Sequence, residues 1–472
     1  MFPNSQSALP LPPRPNLERY KKIAKELVTA CRSASEAGDD QPIVAWASDW
    51  VDALVRLSGI SLEPYLPVRV DGWIDDVAEF AKRQMRGHAD AEHMCALADA
   101  QFVIARSHGF ESWPKFVRHL ESAMLEGSSQ SRFESAADAI VAGDIEMLKR
   151  LLAEEPGLIQ MQSTREHGAA LLHYVSANGV EGYRQKTPRN IVEITEFLLR
   201  SGAEVDAIAN VYGGSTALGL TATSGHPERA GMQEGLLRTL LEFGAVVDGK
   251  IVRACLANGR INAAEYLADV LVHRGRRLDL VSAAGVGRLD LVEMFFPEEG
   301  SLRPDVAEKE AQYGLFYACQ FGRDAVVAFL LERAVDLAIP DEHGQTALHH
   351  AVIGGHPETV KLLLRFKPPL DALNSYGGTP LEQAVWSAAH DGDPVTYIAI
   401  LEALTVAGAR LPGRHVPVNA SVDAWLEAHG SHAEPGWYWH GEKPRSGPRN
   451  KAGKLSGMGT SNRLRTLPQI IQ

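Results

Sequence analysis

Cysteine is scarce: Cys31, Cys95, Cys255 and Cys319 are four in 472 residues, far apart and without a CxxC pair. That spacing argues against a disulfide framework or a zinc site, and points to a reducing compartment, the cytoplasm. Aromatic residues make up only 7% of the chain, too few for an aromatic-rich β-sandwich. No run of 18 apolar residues occurs, which excludes a helical membrane span. The opening MFPNSQSALPLPPRPN lacks the charged start and apolar stretch of a secretory signal. Positive charge is in deficit, with a formal net charge of −12, so the chain as a whole repels nucleic acid and anionic membranes. The exception is 441–472, where Lys443, Arg445, Arg449, Lys451, Lys454, Arg463 and Arg465 face Glu442 alone. Catalytic signatures are missing too: no GxxxxGK[ST], no GxGxxG after a strand, no GxSxG and no HExxH. No cofactor is expected, and the chain reads as non-enzymatic.

What is present is a folded composition, 45% hydrophobic and 22% charged, with 42 glycines to serve many short turns. The length suits roughly three ordinary domains. Within it, DEHGQTALHHAVIGGHPETVKLLL (341–364) answers NSYGGTPLEQAV (374–385). Thr346, Leu348, Ala351 and Val352 recur 33 positions later as Thr379, Leu381, Ala384 and Val385, and Thr216 and Leu218 take the same roles in YGGSTALGL. A glycine series extends the pattern: Gly143, Gly179, Gly225, Gly259, Gly287, Gly322, Gly355 and Gly392. Each is read as ending a first helix, where a left-handed residue is wanted. Four positions before them stand Ala139, Val175, Thr221, Cys255, Ala283, Ala318, Ala351 and Ala388, nearly all small enough to let helices approach closely. After them come apolar pairs such as Leu330-Leu331 and Leu363-Leu364, once insertions at 180–190 and 226–232 are allowed.

A period of 33 with Thr-x-Leu-His-x-Ala resembles the ankyrin repeat. The resemblance implies an all-α solenoid of about eight helix-turn-helix units over 132–410. Upstream, 16–125 reads as a helical module without the repeat: Asn16 caps a helix with Leu17, Tyr20, Ile23, Ala24, Leu27 and Cys31 on one face. Ser112 is placed as the cap of a later helix, with Pro114 in its first turn. RPNLERYKKIAKEL, LADAQFVIARSHGFESWPKFVRHLE and STREHGAALLHYVSANGVEGYRQKTPRN resemble a group of bacterial ankyrin-repeat domain-containing proteins whose members mostly lack an assigned function. Residues 1–15 are expected to be a disordered leader, 411–430 a closing segment around SVDAWLEAHG, and 431–472 a disordered basic tail. The Trp437-Tyr438-Trp439 cluster sits oddly in that tail.

Several chemical candidates dissolve into structural readings. His88 and His93 are five apart, on different helix faces and without a third ligand. The carboxylate pairs Asp75-Asp76 and Glu298-Glu299 are read as solvated, because helix neighbours do not face one another. Cys255 and Cys319 are read as core thiols. By resemblance, His349 and His173 bond the turn backbone, His349 beside its Thr hydroxyl. The binding candidates are polar and aromatic residues that packing does not use. These are Asn210, Tyr212, Asp341, Glu342, His343, Asn374, Ser375 and Tyr376 in the fingers between units. Tyr183, Arg184, Lys186 and Arg189 join them from the first insertion, read as exposed, so that substituting Tyr183 is expected to be near neutral for folding. The expected activity is protein–protein interaction through the concave face and fingers, by a monomer with an unidentified protein partner. The alternative makes 16–125 a small enzyme or ligand sensor, with Trp46, Trp50, Trp73 and Trp113 lining a pocket. Nucleic acid has a candidate only in the basic tail 441–472, which lacks interleaved aromatics.

Overall fold

Apolar residues recurring every three or four positions build the first helices, each burying one stripe. The computed structural model describes residues 2–12, 15–58, 66–87, 94–125, 127–297, 301–390 and 392–434. The His88/His93 pair, Glu298-Glu299, the cluster 437–439 and the tail 441–472 lie outside the described residues. The chain divides into two units, one ending at Val247 and the other beginning at Asp248.

The first unit starts with α1 (Leu17–Ala37), α2 (Gln41–Ser58), α3 (Leu66–Arg86), α4 (Leu97–Ser107) and α5 (Trp113–Met124). Asn16 caps α1 by accepting from Arg19 N–H at 3.2 Å, and Tyr20, Ile23, Ala24, Leu27, Cys31 and Ala34 are its buried face. Ser112 is extended as a cap residue should be, yet it makes no side-chain cap bond; Pro114 does sit in the first turn of α5. α1 packs on α2, α4 and α5, around one core that holds Trp46, Trp50, Trp73, Phe110 and Phe116.

Two expectations are corrected here. Cys31 and Cys95 form a disulfide, their Cα atoms 5.6 Å apart across 64 residues of sequence. The packing of α1 against α4 brings them together, which spacing along the chain cannot reveal. This removes the ground for expecting a reducing compartment. The leader is also ordered within 2–12: Leu9 is fully buried, and Ala8 and Phe2 nearly so. Leu9 N–H donates to Ser107 C=O at 2.7 Å, and His108 Nδ1 donates to Leu9 C=O at 3.0 Å. The prolines around SALPLPP favour an extended chain, so its apolar residues reach the helical core at little conformational cost.

Two-helix units follow. In the first unit these are α6 (Ser129–Ala142) with α7 (Ile145–Glu154), a 3-10 turn Leu171–Ser176 with α8 (Ile191–Arg200), and α9 (Ala217–Thr223) with α10 (Gly225–Arg229) and α11 (Gln233–Glu242). The second unit contains α12 (Lys250–Ala257) with α13 (Ile261–His273), α14 (Leu280–Gly285) with α15 (Leu289–Glu293), α16 (Glu308–Gln320) with α17 (Asp324–Glu332), α18 (Ala347–Ile353) with α19 (Pro357–Leu364), and α20 (Pro380–Ala389) with α21 (Pro394–Val406). First helices stack on first helices: α12 on α14, α14 on α16, α16 on α18, α18 on α20. All eight small positions are buried, which is what close stacking demands. Six of the eight marker glycines have left-handed backbone; Gly225 and Gly392 do not. Gly225 opens α10 instead, because the second insertion adds a helical turn there. Gly354 has a different reason: a Cβ on it would meet Gln320 O at 2.0 Å. α22 (Ala420–Ala428) packs on α21, flanked by a two-residue parallel pairing of β1 (Arg414–His415) with β2 (His432–Ala433).

Candidate partner-binding surface

The repeat chemistry consumes its own polar residues. Thr346 and Thr379 precede α18 and α20, Leu348 and Leu381 are fully buried, and Ala351 lies beneath them. His349 Nδ1 accepts from Thr346 N–H at 3.2 Å and lies 3.0 Å from its hydroxyl, while Nε2 donates to Gly378 C=O at 3.2 Å in the next finger. Burial lowers the His349 pKa to about 4, so the imidazole stays neutral. His173 does the same work, accepting from Ala170 N–H and bonding Ala207 O at 2.9 Å. Thr216 caps α9 through Gly219 N–H, over the buried Leu218. Where α20 has Glu382 in place of that histidine, a carboxylate takes over. Glu382 Oε2 accepts from Thr379 N–H at 2.8 Å, and Thr379 Oγ1 accepts from Glu382 N–H, closing a capping box.

The fingers sort the binding candidates. Asp341 Oδ1 accepts from His343 N–H and Gln345 N–H, both at 2.8 Å, and Oδ2 faces His350 Nε2 at 3.2 Å. Asn374, 33 residues on, accepts from Tyr376 N–H and Gly378 N–H at 3.0 Å and is buried. Both build turns rather than offering contacts, a correction for Asn374 above all. Ser375 N–H donates to His343 C=O at 2.7 Å, and Asn210 N–H to His167 C=O at 2.7 Å, tying each finger to its neighbour. Tyr212 hydroxyl bonds Asn178 at 3.2 Å and Gln6. Asn210, Glu342, Ser375 and Tyr376 remain exposed, and His343 is half-buried.

The first insertion departs most from its reading. Arg184 is buried, with Nε on Asp138 at 2.7 Å and Nη1 on Glu134 at 2.7 Å and on Glu181 at 3.2 Å. Glu181, fully buried, also faces Arg165 Nε at 2.5 Å. Arg165 reaches on to His108 C=O at 2.6 Å and donates to the Tyr183 hydroxyl at 3.2 Å. Burial by itself would raise the Glu181 carboxyl; Arg165 and Arg184 overrule it and hold it well below the usual range. Arg184 is thus an interior residue and Tyr183 a half-buried one held by Arg165, so the near-neutral substitution expected at Tyr183 is withdrawn. Lys186 and Arg189 are exposed. Sequence reasoning missed Arg165, Glu181 and Glu134, whose charges lie far apart along the chain. Gly182 shows how closely the leader comes in, since a Cβ there would meet Gln6 O at 2.4 Å.

A family model described as ankyrin repeats, in three copies, matches residues 280–372 and 315–403. Residues 280–403 are ankyrin repeats. The chain is also 38% identical over 69 residues to ankyrin repeat domain-containing protein 13C of Danio rerio, and 34% identical over 116 residues to a transient receptor potential cation channel subfamily A member 1 homolog of Caenorhabditis elegans. Those stretches are 15% and 24% of this chain but only 14% and 9% of the relatives. Ankyrin repeats are generally protein–protein interaction modules.

The first helices of these ankyrin repeats also carry the half-buried Tyr313 and Tyr317 and the exposed Trp386. The Tyr313 hydroxyl donates to Glu342, so α16 holds the finger after it. Trp386 is 41% exposed and stacks one face on His390, centroids 4.0 Å apart. By contrast, Trp46, Trp50 and Trp73 in the N-terminal helices are core residues, and Trp113 packs on Phe116. They fill space rather than line a pocket. A cavity of about 440 Å³ lies instead between Glu265, Phe321, Arg323 and His356, and Arg323 already pairs with Glu265 at 2.5 Å. No helix among the described residues is long and apolar enough to cross a membrane.

Proposed function

We propose that the chain is a non-enzymatic interaction module whose ankyrin repeats hold another protein on their first-helix (concave) face and fingers. The observation that carries this reading is the division of labour in 336–390. Turn and helix-cap chemistry occupies Asp341, His349, Asn374 and Glu382, while Glu342, Ser375, Tyr376 and Trp386 keep exposed side chains. We read the array as running over 132–410, since the two-helix units on either side repeat the same buried small positions. Residues 16–125 then serve as its cap, because Arg165 and Glu166 bond the His108 and Gly109 carbonyls. The test is cross-linked capture by the full-length chain, compared with a Tyr376→Leu/Trp386→Leu variant. A partner recovered by the wild type and depleted with the variant supports the reading. Identical protein profiles from both, or from the tag alone, count against it.

A further inference from the structure

We infer that this surface takes a cationic segment of its partner, with arginine or lysine side chains laid on Tyr376 and Trp386 beside the Glu342 carboxylate. The inference rests on the interaction reading above and names the chemistry that reading leaves open. Its first support is a segregation of charge. From Asp336 to Ile353 the chain has Asp336, Asp341 and Glu342 and no lysine or arginine; from Asp371 to His390 it has Asp371 and Glu382 and again none. These two stretches are the fingers and first helices of consecutive repeats. The cations of the same repeats, Arg323, Arg333, Lys361, Arg365 and Lys367, all fall in or just beside the second helices. Residues 248–434 as a whole carry 25 acidic against 16 basic residues, so the local bias is reinforced rather than cancelled.

The second support is how these groups are left. Glu342 is exposed and accepts from Tyr313, and no basic side chain among the described residues pairs with it. Asp336 and Asp371 are exposed as well. Tyr376 is 53% exposed and makes no ring contact among the described residues, and Trp386 keeps 41% exposure after stacking on His390. An aromatic face attracts a cation through its quadrupole, and a neighbouring carboxylate adds a direct charge pair. Ser375 N–H, bonded to His343 C=O, holds the finger of Tyr376 against the finger of Glu342, so the carboxylate and the ring are presented by adjoining fingers. Trp386 follows six positions into α20, about 9 Å along its axis. Counted from Pro380, that distance is about three residues of an extended segment, which rises about 3.3 Å per residue.

The experiment titrates the full-length chain against a labelled peptide of alternating arginine and glycine, and against its glutamate counterpart. Trp386→Leu and Tyr376→Leu keep an apolar side chain and remove the π face; Glu342→Gln removes the charge. Each is expected to weaken the arginine peptide by about fivefold. Glu402→Gln, the same charge change on the exposed side of α21, should stay within about twofold of wild type. Equal binding by all these variants would reduce the attraction to bulk charge and overturn the inference. So would glutamate-peptide binding as tight as that of the arginine peptide. If either happens while the double leucine variant still loses its captured protein, the interaction reading stands and only the cationic partner falls. Melting temperatures within the wild-type range confirm that the exposed substitutions leave the fold intact.

Discussion

A histidine that bridges two turns works only while it is neutral. His349 and His173 each accept from a backbone N–H with one ring nitrogen and bond a carbonyl in the next finger with the other. Burial lowers His349 to about 4, His119 to about 4 and His108 to about 3, and lowers His173 as well. The unfolded chain titrates these rings near 6.5, so on acidification it binds protons before the folded chain does. The stability they contribute is present above about pH 6.5 and is lost progressively as pH falls toward their folded values. Melting temperature should therefore decline between about pH 6.5 and 5, above the range where carboxylates take part. A flat profile across that interval would contradict the neutral, buried assignment. His349 and His173 were legible in the sequence because the repeat resemblance fixes their place beside the turn. Asp341 and Asn374 were not, since a turn-building Asx residue and an exposed contact residue look alike until the backbone shows which N–H groups they accept from.

At the scale of elements, the segment 180–190 is the instructive case. Periodicity reads anything out of register as surplus, and surplus reads as surface. The segment instead inserts Glu181 and Arg184 between α6 and the chain around Arg165, in a network whose Glu181, Arg165 and Arg184 are buried while Glu134 is partly buried and Asp138 lies at its exposed edge. Such a network contributes little net stability when whole, but losing one member leaves an uncompensated buried charge. Glu181→Gln should cost about 3–5 kcal/mol in chemical denaturation. Lys186→Ala, a few residues away and exposed, should stay within about 0.5 kcal/mol. Comparable effects from the two substitutions would mean that the interior placement is wrong. The leader belongs with this lesson: its Leu9 is pinned by Ser107 and His108, 98 and 99 residues away, and no local pattern marks it as core.

For the whole molecule, the disulfide decides the conditions under which the N-terminal helices are held. Cys31–Cys95 closes a 64-residue separation between α1 and the start of α4. A cross-link of that reach limits the unfolded chain and is worth about 2–4 kcal/mol. Dithiothreitol should lower the melting temperature of the wild type and leave a Cys31→Ser/Cys95→Ser variant unmoved. Alkylation before reduction should label neither cysteine of the pair, even in denaturant; labelling of both would remove the cross-link from the account.

The amino-acid order alone determined the helix-turn-helix period, the capping residues, and the small and leucine positions at the seams. All of these follow from interactions within one turn of helix or between units related by a fixed step. Tertiary structure alone decided that Cys31 meets Cys95, that Leu9 and Arg184 are interior, and which finger residues stay exposed. Those outcomes depend on groups brought together from distant parts of the chain, where burial and charge pairing act through space and leave no mark on local spacing.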